Sequence, residues 1–189
     1  MSLRWLPNAI CVARIVLIGP VVYTLLRGEY LLTLVLFGAA GVSDGVDGWL
    51  AKTFGWTSAA GKILDPIADK LLLVTAFLTL AWLGLTPGWL ASAVVLRDVV
   101  IVAGAIAYHL LVGSLEGRPT FVSKLNTVVQ IAYVLAVVAG AAWRAMPGAL
   151  VTTMGAACFI TTVVSGLDYV ISYSRLALRA RDRPRAGPA

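Results

Sequence analysis

Six predominantly apolar stretches, each near twenty residues long, follow one another along this chain with little but Gly, Pro and charged residues between them. They fall at about 8–27, 30–51, 62–83, 87–112, 122–143 and 148–174. About twenty helical residues, rising ~1.5 Å each, span a hydrocarbon core of roughly 30 Å. In lipid the backbone must satisfy its own hydrogen bonds, so each stretch is expected as a helix. The predicted fold is therefore an all-α membrane protein with six transmembrane helices. Composition agrees: 60% hydrophobic residues against 13% charged is more apolar than a water-soluble domain requires. All six tryptophans (Trp5, Trp49, Trp56, Trp82, Trp89, Trp143) fall at or just outside the predicted ends. Amphipathic rings prefer that interfacial depth.

Basic residues set the expected orientation. If six helices alternate, Arg4, Lys52, Lys62, Arg118, Lys124 and five arginines from Arg175 to Arg185 share one side, against Arg27 and Arg144 on the other. This asymmetry predicts both termini in the cytoplasm. The net charge of +6 is then a topology signal or an attraction to anionic headgroups, not a nucleic-acid footprint. The opening MSLRWLPN shows neither signal-peptide nor transit-peptide character, so a bacterial inner membrane is the expected location. Residues 1–176 read as one catalytic domain and 177–189 as a basic cytoplasmic tail. Cys11 and Cys158 lie in apolar stretches without metal-ligand spacing.

Four of the nine acidic residues gather where the second stretch hands over to the third: Asp44, Asp47, Asp65 and Asp69. Asp44 and Asp47 are three apart, Asp65 and Asp69 four apart, so each pair shares one face of its helix. Two antiparallel helices joined by a short loop would bring both pairs to one depth, in the cytoplasmic third of the bilayer. A carboxylate there costs about 2.5–3.5 kcal/mol on insertion scales, and four together repel. Cations must hold them. An all-oxygen donor set favours Mg²⁺, Mn²⁺ or Ca²⁺, and with one histidine in the chain zinc is disfavoured. The plainer alternative is an ion-pair network with Lys52, Lys62 and Lys70. Gly48, Ala51 and Gly61 lie beside the carboxylates, where small residues admit a ligand or simply let helices pack closely.

Written with its spacing, the segment is Asp44-x-x-Asp47-Gly48-x-x-Ala51-Lys52, eight residues, then Gly61-x-x-x-Asp65-x-x-x-Asp69. It resembles the signature of the CDP-alcohol phosphotransferases, DxxDGxxAR-x8-GxxxDxxxD, with lysine at the arginine position. The resemblance implies transfer of a phosphatidyl group from CDP-diacylglycerol to an alcohol, with CMP leaving. It implies that Asp44, Asp47, Asp65 and Asp69 bind two divalent metal ions, Mg²⁺ or Mn²⁺. Asp47, Gly48, Ala51, Lys52 and Gly61 would line the nucleotide, and Asp69 would be the general base. It also implies a homodimer. Lys52 keeps a positive charge for a phosphate but lacks arginine's planar fork.

A second segment, Arg118-Pro119-Thr120-Phe121-Val122-Ser123-Lys124-Leu125-Asn126-Thr127-Val128-Val129-Gln130, resembles one in the CMP-forming cardiolipin synthases of that superfamily, as does the pair Arg97-Asp98. This implies phosphatidylglycerol as acceptor; glycerol 3-phosphate, used by the related phosphatidylglycerophosphate synthases, is the alternative. Arg14, Arg97, Asp98, Lys124 and Asn126 are the candidates for holding acceptor phosphate. Structural roles compete: Arg97 could pair with Asp98, and Arg14 could snorkel to the interface. Arg118 reads as a cytoplasmic anchor, His109 as a bland interfacial residue. Asp168 is expected to be satisfied by a neighbouring tyrosine or cation. Lys70 diverges by about 100° from Asp69, so it is expected to neutralise a different carboxylate.

Other functions fare worse. A phospholipase D-type site needs two HxK motifs, which one histidine cannot supply. A divalent-cation transporter predicts carboxylates near mid-membrane and paired broken helices. A non-catalytic scaffold would be expected to have lost part of the cluster. No serine or cysteine is evidently activated as a nucleophile, which favours direct displacement over a covalent intermediate.

Overall fold

The computed structural model describes the backbone of residues 6–54, 61–111, 120–143 and 147–181, and the side chains of 12–43, 67–107, 120–143 and 147–174. Its described residues form six helices: α1 (Leu6–Arg27), α2 (Tyr30–Phe54), α3 (Gly61–Trp82), α4 (Gly88–Leu111), α5 (Phe121–Trp143) and α6 (Gly148–Arg181). Five follow the expected stretches to within a few residues. The sixth runs on to Arg181, past the expected end of the apolar stretch at about 174. Its last turns, LALRAR, hold only strong helix formers, so nothing local stops the helix there.

Among the described residues three helices are long and apolar enough to cross a membrane, over Gly88–Ala107, Phe121–Trp143 and Gly148–Ser174, and the described part of α2, Tyr30–Ser43, is apolar as well.

Two tight turns at one end of the bundle have the same chemistry. At the end of α1, Gly28 takes φ 74°, its N–H donates to Leu25 O (3.0 Å) and the Glu29 N–H donates to Thr24 O (2.9 Å). After α3, Gly84 takes φ 71°, with Gly84 N–H to Ala81 O (3.1 Å) and Leu85 N–H to Leu80 O (2.9 Å). Both are Schellman caps, which require the left-handed residue that glycine supplies without strain. At the other end, the Thr120 hydroxyl caps α5 by accepting the Ser123 N–H at 3.2 Å.

Helix α3 is central. It packs against α1, α4 and α5, while α2 bridges α1 to α5 and α6 covers α4 and α5. The core between them is apolar: Leu72, Leu73, Phe77 and Leu80 of α3 meet Leu25, Leu90, Val94 and Tyr133. On α5 the buried positions Asn126, Gln130, Tyr133, Val134 and Val137 recur at helical spacing, one stripe with polar residues towards its start. Trp82, Trp89 and Trp143 are exposed at helix ends, the interfacial placement their sequence positions imply. Trp5 and Trp56 lie outside the described residues, as do the side chains of Trp49 and Cys11. Cys158 is a buried free thiol.

Candidate functional site

The motif's aspartates lie on two helices that both pack on α1: Asp44 and Asp47 on α2, Asp65 and Asp69 on α3. The side chains of Asp44, Asp47, Gly48, Ala51, Lys52, Gly61 and Asp65 lie outside the described residues. Asp69 is described, and its neighbourhood is informative. Arg14 Nη1 donates to Asp69 Oδ1 at 2.7 Å. The two residues are each eight positions into their helices, about 12 Å along at ~1.5 Å per residue, which sets them at one level. Arg14's side chain is 1% exposed, whereas that of Asp69 is 42% exposed. A buried guanidinium thus holds one edge of a carboxylate that solvent still reaches. Arg14 neither snorkels outward nor stands open as a phosphate contact; it anchors the expected base.

Across α3 a second set of charges meets. Lys70 Nζ donates to Asp98 Oδ1 at 2.6 Å, and Arg97 Nη1 donates to the same oxygen at 2.7 Å. Lys70 therefore neutralises a carboxylate outside the motif, as its ~100° divergence from Asp69 requires. Arg97 Nη2 also donates to the hydroxyls of Ser123 (2.9 Å) on α5 and Ser165 on α6. With its side chain 4% exposed, Arg97 sits in a knot joining four helices. Of its two readings, pairing with Asp98 is the one this geometry displays.

The remaining acceptor candidates part ways. Lys124 is exposed near the start of α5. Asn126 is fully buried, and its Oδ1 accepts from the hydroxyls of Thr161 and Thr162 on α6, both at 3.0 Å. Gln130, one turn on, donates from Nε2 to Thr162 Oγ1 at 3.4 Å. Arg97 and Asp98 are thus bonded together with Lys70, whereas Asn126 is bonded to α6 about one turn away from Ser123 and Ser165. Arg118 lies outside the described residues and so does the side chain of His109. Asp168 departs from expectation: its Oδ2 is buried without a hydrogen-bond partner among the described residues. The neighbouring Tyr169 ring stacks on Tyr173 (centroids 4.0 Å apart) and lies against Gly104, so it is turned to other partners.

Ser123 and Ser165 were not singled out by sequence reasoning. A serine within an apolar helix usually bonds back to its own backbone, so its presence alone does not announce a cross-helix contact.

The donor set fits a hard divalent cation: four carboxylates on two helices, all oxygen, with the one described member open to solvent. Among the described residues no three His, Cys, Asp or Glu side chains gather to hold a metal, and Asp44, Asp47 and Asp65 fall outside that set.

Comparison with known proteins places these features in context. The family described as CDP-alcohol phosphatidyltransferase matches residues 4–177. A Drosophila melanogaster protein named probable cardiolipin synthase (CMP-forming) is 30% identical over 189 residues, covering 90% of this chain and 58% of that protein. The Homo sapiens cardiolipin synthase (CMP-forming) is 28% identical over 180 residues, covering 87% and 60%. A probable phosphatidylglycerophosphate synthase of Mycobacterium tuberculosis (strain ATCC 25618 / H37Rv) is 32% identical over 141 residues, covering 71% and 62%. The chain therefore spans about three-fifths of the length of these curated relatives. With the family match running almost end to end, and the two aspartate pairs on successive helices that both pack on α1, the chain belongs to the CDP-alcohol phosphatidyltransferase family.

Proposed function

We propose that this protein transfers a phosphatidyl group from CDP-diacylglycerol to a hydroxyl of phosphatidylglycerol, giving cardiolipin and CMP. The observation that carries the chemistry is Asp69: a solvent-accessible carboxylate at the last position of the family motif, held by a buried arginine 2.7 Å away. In this reading the acceptor hydroxyl gives its proton to Asp69 while its oxygen bonds to the phosphatidyl phosphorus. The bond from that phosphorus to the CMP oxygen breaks in line, with no covalent enzyme intermediate. Arg14 orients the base. Its positive charge also offsets the cost of keeping a carboxylate ionised at this depth.

Asp44, Asp47, Asp65 and Asp69 are the residues that would hold two divalent cations, Mg²⁺ or Mn²⁺. Bound there, such ions supply positive charge against the diphosphate and the leaving group. Gly48, Ala51 and Gly61 leave room for the nucleotide beside Asp47 and Lys52. Lys124, exposed near the start of α5, is available to the acceptor's phosphate.

The wider setting belongs to the same proposal. Six helices cross a bacterial inner membrane, both termini and the site face the cytoplasm, and the protein works as a homodimer. The alternating helix order and the asymmetry of basic residues support that orientation. Glycerol 3-phosphate is the second acceptor to consider, because relatives of similar identity are named CDP-diacylglycerol–glycerol-3-phosphate 3-phosphatidyltransferase and probable phosphatidylglycerophosphate synthase.

The deciding experiment supplies purified protein in nanodiscs with CDP-diacylglycerol and Mg²⁺ or Mn²⁺. Phosphatidylglycerol and glycerol 3-phosphate are offered separately, and CMP and lipid product are measured. Cardiolipin formed with phosphatidylglycerol alone supports the proposal. Product from glycerol 3-phosphate alone reassigns the acceptor. CMP release with neither refutes both assignments.

A further inference from the structure

Helix α3 carries half of the carboxylate motif, and ion pairs grip it on two sides at adjacent residues. Asp69 is bonded to Arg14 of α1; Lys70, about 100° further round the helix, is bonded to Asp98 of α4. Asp98 is itself fixed. Its Oδ1 accepts from Arg97 as well as Lys70, and Arg97 is tied to Ser123 of α5 and Ser165 of α6. Asp98 thus accepts from two cations, one on its own helix and one on α3.

We propose that Asp98 and Lys70 are positioning residues: their bond fixes the rotation of α3 about its axis and so the placing of the Asp65 and Asp69 carboxylates. The proposal rests on the functional reading above and goes beyond it, since neither residue need touch substrate. Leverage explains why one bond matters. Side-chain tips lie ~5–6 Å from a helix axis, so a rotation of about 10° moves a carboxylate ~1 Å. A 1 Å misplacement of a reacting group costs on the order of 100-fold in rate. Hydrophobic burial is non-directional, whereas the 2.6 Å ion pair ties one azimuth of α3 to α4.

The surroundings also make the brace testable without unfolding the protein. Lys70 and Asp98 line an open cavity of about 630 Å³ between α3 and α4, whose other lining residues include Ile67, Leu71, Val99 and Val102. Methionine at position 70 keeps the unbranched stem in that apolar setting. It leaves Asp98 still neutralised by Arg97, so no lone buried charge is created.

The test compares Lys70→Met, Lys70→Arg and wild type, each confirmed monodisperse in nanodiscs. Mn²⁺ binding is titrated by the EPR signal of the free ion, and CMP release gives kcat and KM. Lys70→Met is expected to weaken Mn²⁺ binding about 10-fold and lower kcat by 10- to 100-fold, with KM for the acceptor lipid changed less than threefold. Lys70→Arg should recover most of both losses. Wild-type Mn²⁺ affinity in Lys70→Met overturns the proposal. So does a defect confined to KM, which would make Lys70 a substrate contact, and so does failure of Lys70→Arg to recover. If wild-type protein binds Mn²⁺ yet turns over no CDP-lipid, the functional reading falls, and the brace is judged by the Mn²⁺ titrations.

Discussion

Replacing Arg14 separates its two effects, on stability and on the base. Breaking a fully buried ion pair costs about 3–5 kcal/mol, and breaking an exposed one ~0.2–1. Here the guanidinium is 1% exposed and the carboxylate 42%, so Arg14→Met falls between those limits, at about 2 kcal/mol. At ~2–4 °C per kcal/mol for a chain of this size, the melting temperature should drop by ~4–8 °C. The same substitution releases one edge of Asp69. The carboxylate stays on α3, so its displacement is a fraction of an ångström and kcat should fall roughly 10-fold. Arg14→Lys keeps the charge but not the planar fork, and should lose about threefold in kcat with a smaller shift in melting. Thermal melts in nanodiscs and CMP release at saturating CDP-diacylglycerol read the two effects. Arg14→Met with wild-type melting and turnover would refute the reasoning. A loss confined to KM for the acceptor would make Arg14 a substrate contact instead.

Three further outcomes are expected. Asp69→Asn should weaken Mn²⁺ binding, because one of the four carboxylates is lost, keep CDP-lipid binding, and lower turnover by at least 100-fold even at saturating Mn²⁺, measured by binding and CMP release side by side; wild-type turnover removes Asp69 as the base. Chelation with EDTA should abolish CMP release and added Mn²⁺ or Mg²⁺ restore it, so that persistent activity in EDTA contradicts the carboxylates' assigned role. Gly28→Ala has open space around its new methyl but must adopt φ near 74°, so it should cost ~1–2 kcal/mol in melting experiments and leave KM unchanged.

Helix order and extent were readable because apolar length and Gly–Pro punctuation are local signals. The caps illustrate this: Gly28 and Gly84 sit where the chain must turn left-handed, and glycine is visible as such. Partner choice was less readable. The divergence of Lys70 from Asp69 could be drawn from helical geometry, but that it reaches Asp98 depends on which helix packs beside α3. Arg97 and Asp98 also point apart as consecutive helical residues. They meet because the long guanidinium stem curls round to Nη1–Oδ1 contact at 2.7 Å. Asn126, an expected phosphate contact, turned inward because two threonines of α6 offer hydroxyls at its depth. Nothing within α5 predicts that. The overrun of α6 had a simpler cause: charge marked a boundary for topology, whereas helix propensity ignores it.

The seam between α5 and α6 has a consequence for assembly. Two greasy rods sliding past each other in lipid have little reason to stop at any one axial offset. The amide of Asn126 docked on Thr161 and Thr162, with Gln130 a turn further along, works as a vernier. A slip of one turn, about 5.4 Å, would strand these groups in hydrocarbon. Because Ser123 and Ser165 ride on the same two rods, locking that offset also delivers both hydroxyls to the Arg97 guanidinium. The pitch of a contact remote from the chemistry thus sets the height at which the charged layer closes.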